Sequence, residues 1–183
     1  MKIFIVLLLA GSCGIIRAQT NAPVPKPPEP QTEIFSDSGH FDGNKNQMMY
    51  LGHVSASDPK SKLHCEQLTV DLPPNGGQPT NIVAEFNVVI DELDSKGQTN
   101  NHITADKALY TYSVAAGVTN ATVTFTGGNP SPRVENAQLI IEGDPLVLNM
   151  VTRQFSGEHY RTTFKKAPDS GNSTNASPMD FFK

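Results

Sequence analysis

Five histidines, His40, His53, His64, His102 and His159, are the side chains best suited to hold a metal or move a proton, and none lies at a ligand spacing from another. All but His159 flank or alternate with apolar residues, which predicts solvent-facing positions on strands. Asp37-Ser38-Gly39 and Asp169-Ser170-Gly171 place a carboxylate next to a hydroxyl, but such triplets are too short to mark a nucleophile. The carboxylates of Asp91-Glu92-Leu93-Asp94-Ser95-Lys96-Gly97 fail the calcium-loop pattern, because Lys96 stands at the position that demands glycine. This segment reads as a hairpin turn. Cys65, between Leu63 and Leu68, reads as a small buried hydrophobe. The chemistry on offer is therefore not catalytic: no enzyme activity, metal or cofactor is expected.

The start of the chain, MKIFIVLLLAGSCGIIRA, has the charged, apolar and small-residue order of a secretory signal peptide, with cleavage expected after Ala18. A second reading takes Ala10-Gly11-Ser12-Cys13 as a lipidation site on Cys13, although Ala10 replaces the usual Leu. Loss of residues 1–18 removes Lys2 and Arg17 and moves the formal charge from −4 to −6. Such an acidic chain is a poor partner for nucleic acid. It would keep only Cys65, so an exported protein would hold together without an internal disulfide.

Residues 19–31 contain a proline-rich spacer, NAPVPKPPEPQ, that cannot join a sheet. Residues 166–183 lose all periodicity and read as a disordered tail, with Phe181-Phe182 as a possible docking point. Between them, residues 32–165 show no sustained helical period. They form short runs rich in β-branched and aromatic residues, such as NIVAEFNVVIDEL and ATVTFT, separated by turns such as PPNGG, DSKG and GGNP. The pattern predicts an antiparallel all-β domain of about ten strands.

A repeat runs through these strands. Ile34-Phe-Ser-Asp37, Leu63-His-Cys-Glu66, Ile103-Thr-Ala-Asp106 and Ile141-Glu-Gly-Asp144 share the order apolar, any, small, acid, at separations of 29, 40 and 38 residues. At each acid the apolar residues change parity. Ile103 and Ala105 are odd, whereas Ala108, Tyr110 and Tyr112 are even. A strand has a period of two, so this change would turn the core face outward unless an extra residue were absorbed there as a β-bulge. Asp37, Glu66, Asp106 and Asp144 are accordingly expected to be structural corners at which the sheet folds over, with the acids facing solvent or accepting backbone N–H bonds. By the same parity the interior would hold Ile34, Phe41, Met48, Tyr50, Leu68, Val70, Val88, Ile90, Tyr110, Tyr112, Val123, Phe125, Ile141, Leu146, Leu148 and Phe155. Periodicity does not say whether these seal a core or line an open groove.

The stretch DSGHFDGNKNQMMYLGHV, followed in order by LHCEQLTV, HITADKALYTY and TFTGGNP, resembles the repeats of the OstA-like proteins, the family of LptA, across residues 32–164. Two departures stand out: His53 where that family has Asn in Gly-Asn-Val, and the proline spacer. The resemblance implies a folded-over antiparallel β-jelly roll, open along one side, whose groove shields the acyl chains of lipid A while lipopolysaccharide crosses the periplasm to the outer membrane. It further implies stacking on LptC-like and LptD-like jelly-roll domains, and end to end on further copies. Ile34, Ile90, Tyr110 and Tyr112 fall where the family turns side chains into the groove. With Tyr50, Phe125 and Leu148 they make the expected lipid-binding set. Alternatives are a membrane-anchored, LptC-like component of the same system, and a structural β-domain that pairs with protein partners through its sheet edges.

Overall fold

A computed structural model describes residues 32–166. The expected signal peptide, Cys13, the spacer and the tail beyond Lys166 lie outside the described residues. Twelve antiparallel strands form one continuous sheet: β1 (Glu33–Phe35), β2 (Ser38–Asp42), β3 (Gln47–Asp58), β4 (Ser61–Asp71), β5 (Asn81–Leu93), β6 (Thr99–Ala115), β7 (Val118–Thr126), β8 (Arg133–Glu135), β9 (Leu139–Glu142), β10 (Leu146–Asn149), β11 (Gln154–Gly157) and β12 (Arg161–Phe164). The described chain contains no helix.

The sheet is folded into two leaves along a crease. One leaf runs β2, β3, β4, β5, β6, β7, β10, β11; the other is built from β1, the far halves of β3 to β6, then β8, β9 and β12. Strands β3 to β6 cross the crease unbroken, while four other paths are interrupted there as the pairs β1/β2, β7/β8, β9/β10 and β11/β12. Those interruptions divide eight paths into twelve strands, against the about ten expected. The first and last strands remain unpaired on their outer sides, so the sheet is an open jelly roll and not a barrel.

Each corner acid sits on this crease, and the extra residue lies on the neighbouring strand. Between the pairs Leu51↔Gln67 and Val54↔Cys65, Glu66 alone faces Gly52 and His53. Between Glu85↔Lys107 and Val88↔Ala105, Asp106 alone faces Phe86 and Asn87. All four facing residues have left-handed backbone, with φ of 77° at Gly52, 44° at His53, 66° at Phe86 and 54° at Asn87. Acid and left-handed backbone thus alternate from strand to strand: Asp37, Gly52-His53, Glu66, Phe86-Asn87, Asp106, Gly128 (φ 79°), Asp144, with His159 (φ 48°) beyond. A bulge of this kind bends its strand sharply, and a row of them in register bends the whole sheet.

The acids also fasten the row. Asp37 Oδ2 meets His53 Nδ1 at 2.7 Å, Glu66 Oε2 accepts the His53 backbone N–H at 3.4 Å, and Asp144 Oδ2 accepts the Gly128 N–H. The Asp37 carboxylate, with Glu66 behind it, pushes the His53 imidazole above its ordinary pKa. Asp106 faces solvent.

Inside the fold, Val54, Cys65, Leu68, Val88, Ile103, Phe125, Val134, Ile141 and Leu146 pack from both leaves, and no polar side chain is buried among the described residues. Phe41 departs from the expected interior. It pairs with inward-facing Met48 but lies on edge strand β2, where nothing in the opposite leaf covers it, and it is 53% exposed. All five histidines are exposed strand or crease residues.

Candidate functional site: the groove between the leaves

Away from the crease the leaves part and leave two hollows. The larger, about 570 Å³, is bordered by Ile34 from β1, Met48 and Tyr50 from β3, Leu63, Leu68 and Val70 from β4, Ile82 from β5 and Tyr110 from β6. Leu72, Gln78 and Pro79 close it from the β4–β5 connection. Its wall is mostly aliphatic and aromatic, and its size falls in the range of small-ligand pockets, roughly 300–1,000 Å³. A second hollow of about 440 Å³ lies between Leu148, Met150 and Phe155 of one leaf and Glu92, Leu93, Asn100 and Asn101 of the other. Asp58 and Ser61, at the β3–β4 turn, border both hollows.

The polar groups of the larger hollow are few and neutral or engaged. The Tyr110 hydroxyl accepts a hydrogen bond from Gln78 Nε2 at 3.1 Å, and burial pushes the phenol above its ordinary pKa against the opposing pull of that amide. Asp58 accepts the backbone N–H groups of Lys60 and Ser61 at 2.6 and 2.8 Å, which ties the carboxylate into its own turn. Such a surface offers burial to an apolar ligand and no reactive group.

Of the seven residues expected to bind lipid, Ile34, Tyr50 and Tyr110 come together on the larger hollow and Leu148 borders the smaller one. Ile90 pairs with Ile103 and packs against the core. Phe125 is 1% exposed and forms part of the seal between the leaves. Tyr112 is half-buried at the end of its leaf, its N–H bonded to the Thr80 carbonyl at 2.8 Å. Sequence reasoning passed over Leu63, Leu72 and Ile82. The signal was present in the even parity that Ile82 shares with Ala84 and Val88, and Leu72 with Leu68 and Val70.

The four corner acids lie along the crease, on the far side of the core from these hollows, and shape the groove without bordering either. Cys65 is buried, its Sγ donating to the Gln67 carbonyl at 3.3 Å, and burial pushes the thiol up to about 11.

The fold has a solved counterpart in LptH from Pseudomonas aeruginosa, described as the LptA-homologous periplasmic component of the lipopolysaccharide transport device. It superposes with a TM-score of 0.52 at 14% identity, over 75% of this chain and 96% of that one. No curated protein matches the sequence. The family model of the LptA/(LptD N-terminal domain) LPS transport proteins matches residues 33–154, which run from the first strand to the start of β11 and include every residue bordering the larger hollow except Thr32. The chain belongs to the LptA/LptD N-terminal-domain family of lipopolysaccharide transport proteins.

Proposed function

We propose that the protein is a periplasmic carrier that holds the acyl chains of lipopolysaccharide between its leaves during transport from the inner to the outer membrane. The observation that carries this reading is the apolar hollow of about 570 Å³ bordered by Ile34, Tyr50 and Tyr110, inside a chain of this family. Each Å² of acyl surface withdrawn from water there contributes about 25 cal/mol, and the wall supplies no directional bond that would pin a chain in place. Cargo held in this way can slide. Energy for directed movement would come from a partner at the inner membrane, and the two unpaired sheet edges are the surfaces on which LptC-like and LptD-like domains, or further copies of this chain, would stack.

Replacing Tyr110 by a photo-reactive phenylalanine analogue in the exported protein tests this directly, with the same analogue at Phe86, exposed on the crease, as the control. The expected result after irradiation in cells is a lipopolysaccharide adduct at Tyr110 and none at Phe86. A folded protein that captures lipid at neither position would overturn the carrier reading.

A further inference from the structure

Arg153 Nη1 lies 2.9 Å from Glu92 Oε1. Glu92 lies next to the end of β5 in one leaf, whereas Arg153 lies in the turn between β10 and β11 in the other, so this ion pair spans the opening between the leaves on the side away from the crease. Other pairs do not: Lys107–Glu85, His102–Asp91 and the cluster of Arg133, Glu135, Glu142, Arg161 and Lys165 each stay within one leaf. Both members of the spanning pair border the smaller hollow, which shares Asp58 and Ser61 on its border with the larger one.

The bridge is held from both ends. On one side Glu92 Oε2 also accepts Asn101 Nδ2 at 2.8 Å. On the other, Asn149 Oδ1 accepts the N–H groups of Val151 and Thr152, and the Asn149 carbonyl accepts the Arg153 N–H at 2.8 Å, fixing Arg153 in a left-handed conformation with φ of 58°. A non-glycine residue held in that region needs surroundings that enforce it. Meanwhile the Arg153 side chain is 60% exposed and that of Glu92 18%. An ion pair whose cation stands in solvent contributes little to stability and yields to salt. The turn therefore fixes a weak, reversible fastener over the mouth of a cavity.

We infer that the Glu92–Arg153 bridge is a gate on a side mouth of the groove, through which an acyl-chain amphiphile enters and leaves between the leaf ends. This rests on the carrier reading above and adds a route and its regulation. Parting the bridge exposes Leu148, Met150 and Phe155, and leads past Asp58 and Ser61 to the main hollow. Closing it retains the cargo.

The test measures binding and exchange separately on the full-length protein, with a pyrene-labelled fatty alcohol, an uncharged probe, so that salt acts on the protein's charges. Three proteins are compared: wild type, E92Q/R153Q and the swapped pair E92R/R153E, each checked for thermal unfolding. The expected result is a similar equilibrium affinity throughout, with exchange about two- to fivefold faster in E92Q/R153Q, the range open to a surface ion pair. Raising ionic strength should speed exchange in wild type and leave E92Q/R153Q unchanged, and the swapped pair should return toward the wild-type rate. Probe binding with equal exchange rates in wild type and E92Q/R153Q overturns the gate and leaves the carrier reading standing. Failure of the wild type to bind the probe overturns both.

Discussion

Gly52→Ala tests the crease at its most crowded point. Gly52 has φ of +77°, and a Cβ built on it would lie 3.0 Å from both Cβ and Cγ of Asp37, with the Asp37 carboxylate closer still. Two costs follow. Left-handed backbone is unfavourable for alanine by about 1–2 kcal/mol, and forcing Asp37 aside adds an overpacking cost of about 1–3 kcal/mol. Gly97 separates them, because it has nearly the same φ, +76°, with nothing within 4 Å of the added methyl. Urea unfolding should therefore show Gly97→Ala losing about 1–2 kcal/mol and Gly52→Ala about 2–5 kcal/mol. Removing the obstruction, Cβ included, with Asp37→Gly should make the Gly52→Ala step as mild as Gly97→Ala, a coupling that a double-mutant cycle measures. Equal losses at Gly52 and Gly97, or a Gly52 loss that persists in the Asp37→Gly background, would refute the argument that acid and left-handed pair are fitted to each other.

Two further predictions concern titration and reactivity. The His53 pKa is raised in the folded protein by Asp37, so its contribution is present in full below the unfolded value of 6.5 and is lost as pH rises through the folded value; the gap in melting temperature between wild type and His53→Gln should be largest in mild acid and close as pH rises above neutrality. Cys65, with its thiol pushed up to about 11, should resist an aromatic disulfide reagent at pH 8 in the native protein and react promptly in urea, and rapid native labelling would contradict its burial.

The strands and their inward faces were legible because each β-type run keeps a period of two, and the parity change at Glu66 and Asp106 marked where the sheet bends. The bulges were not legible on the strands that carry them. Met48, Tyr50, Gly52, Val54 and Ala56 keep even parity straight through the bulge of β3, since two residues facing one leave the alternation of that strand undisturbed. Only Gly52, and Asn87 on β5, hint at left-handed backbone there. The interruption between β7 and β8 could be read from Gly127-Gly128-Asn129-Pro130, whereas β11 and β12 looked like one run because Glu158-His159-Tyr160 carries no breaker.

What period cannot supply is depth. Phe125 and Tyr110 lie on paired strands and face the same interior, yet one is sealed and the other borders a hollow. Distance from the crease decides between them. Leu68, two residues past Glu66, is 1% exposed, Val70 is 7%, and Leu72 is only partly buried; along β10, Leu146 next to the corner is fully buried and Met150 at the far end is not. The two leaves therefore form a wedge, closed where bulges and acids bend the strands and widening toward the strand ends. One alternating pattern thus has two outcomes: its residues near the crease meet across the wedge and hold the fold, and the same residue types farther along meet nothing and stay open. A fold built this way can leave apolar surface uncovered without unfolding, because the crease and the packed core beside it keep the strands in place.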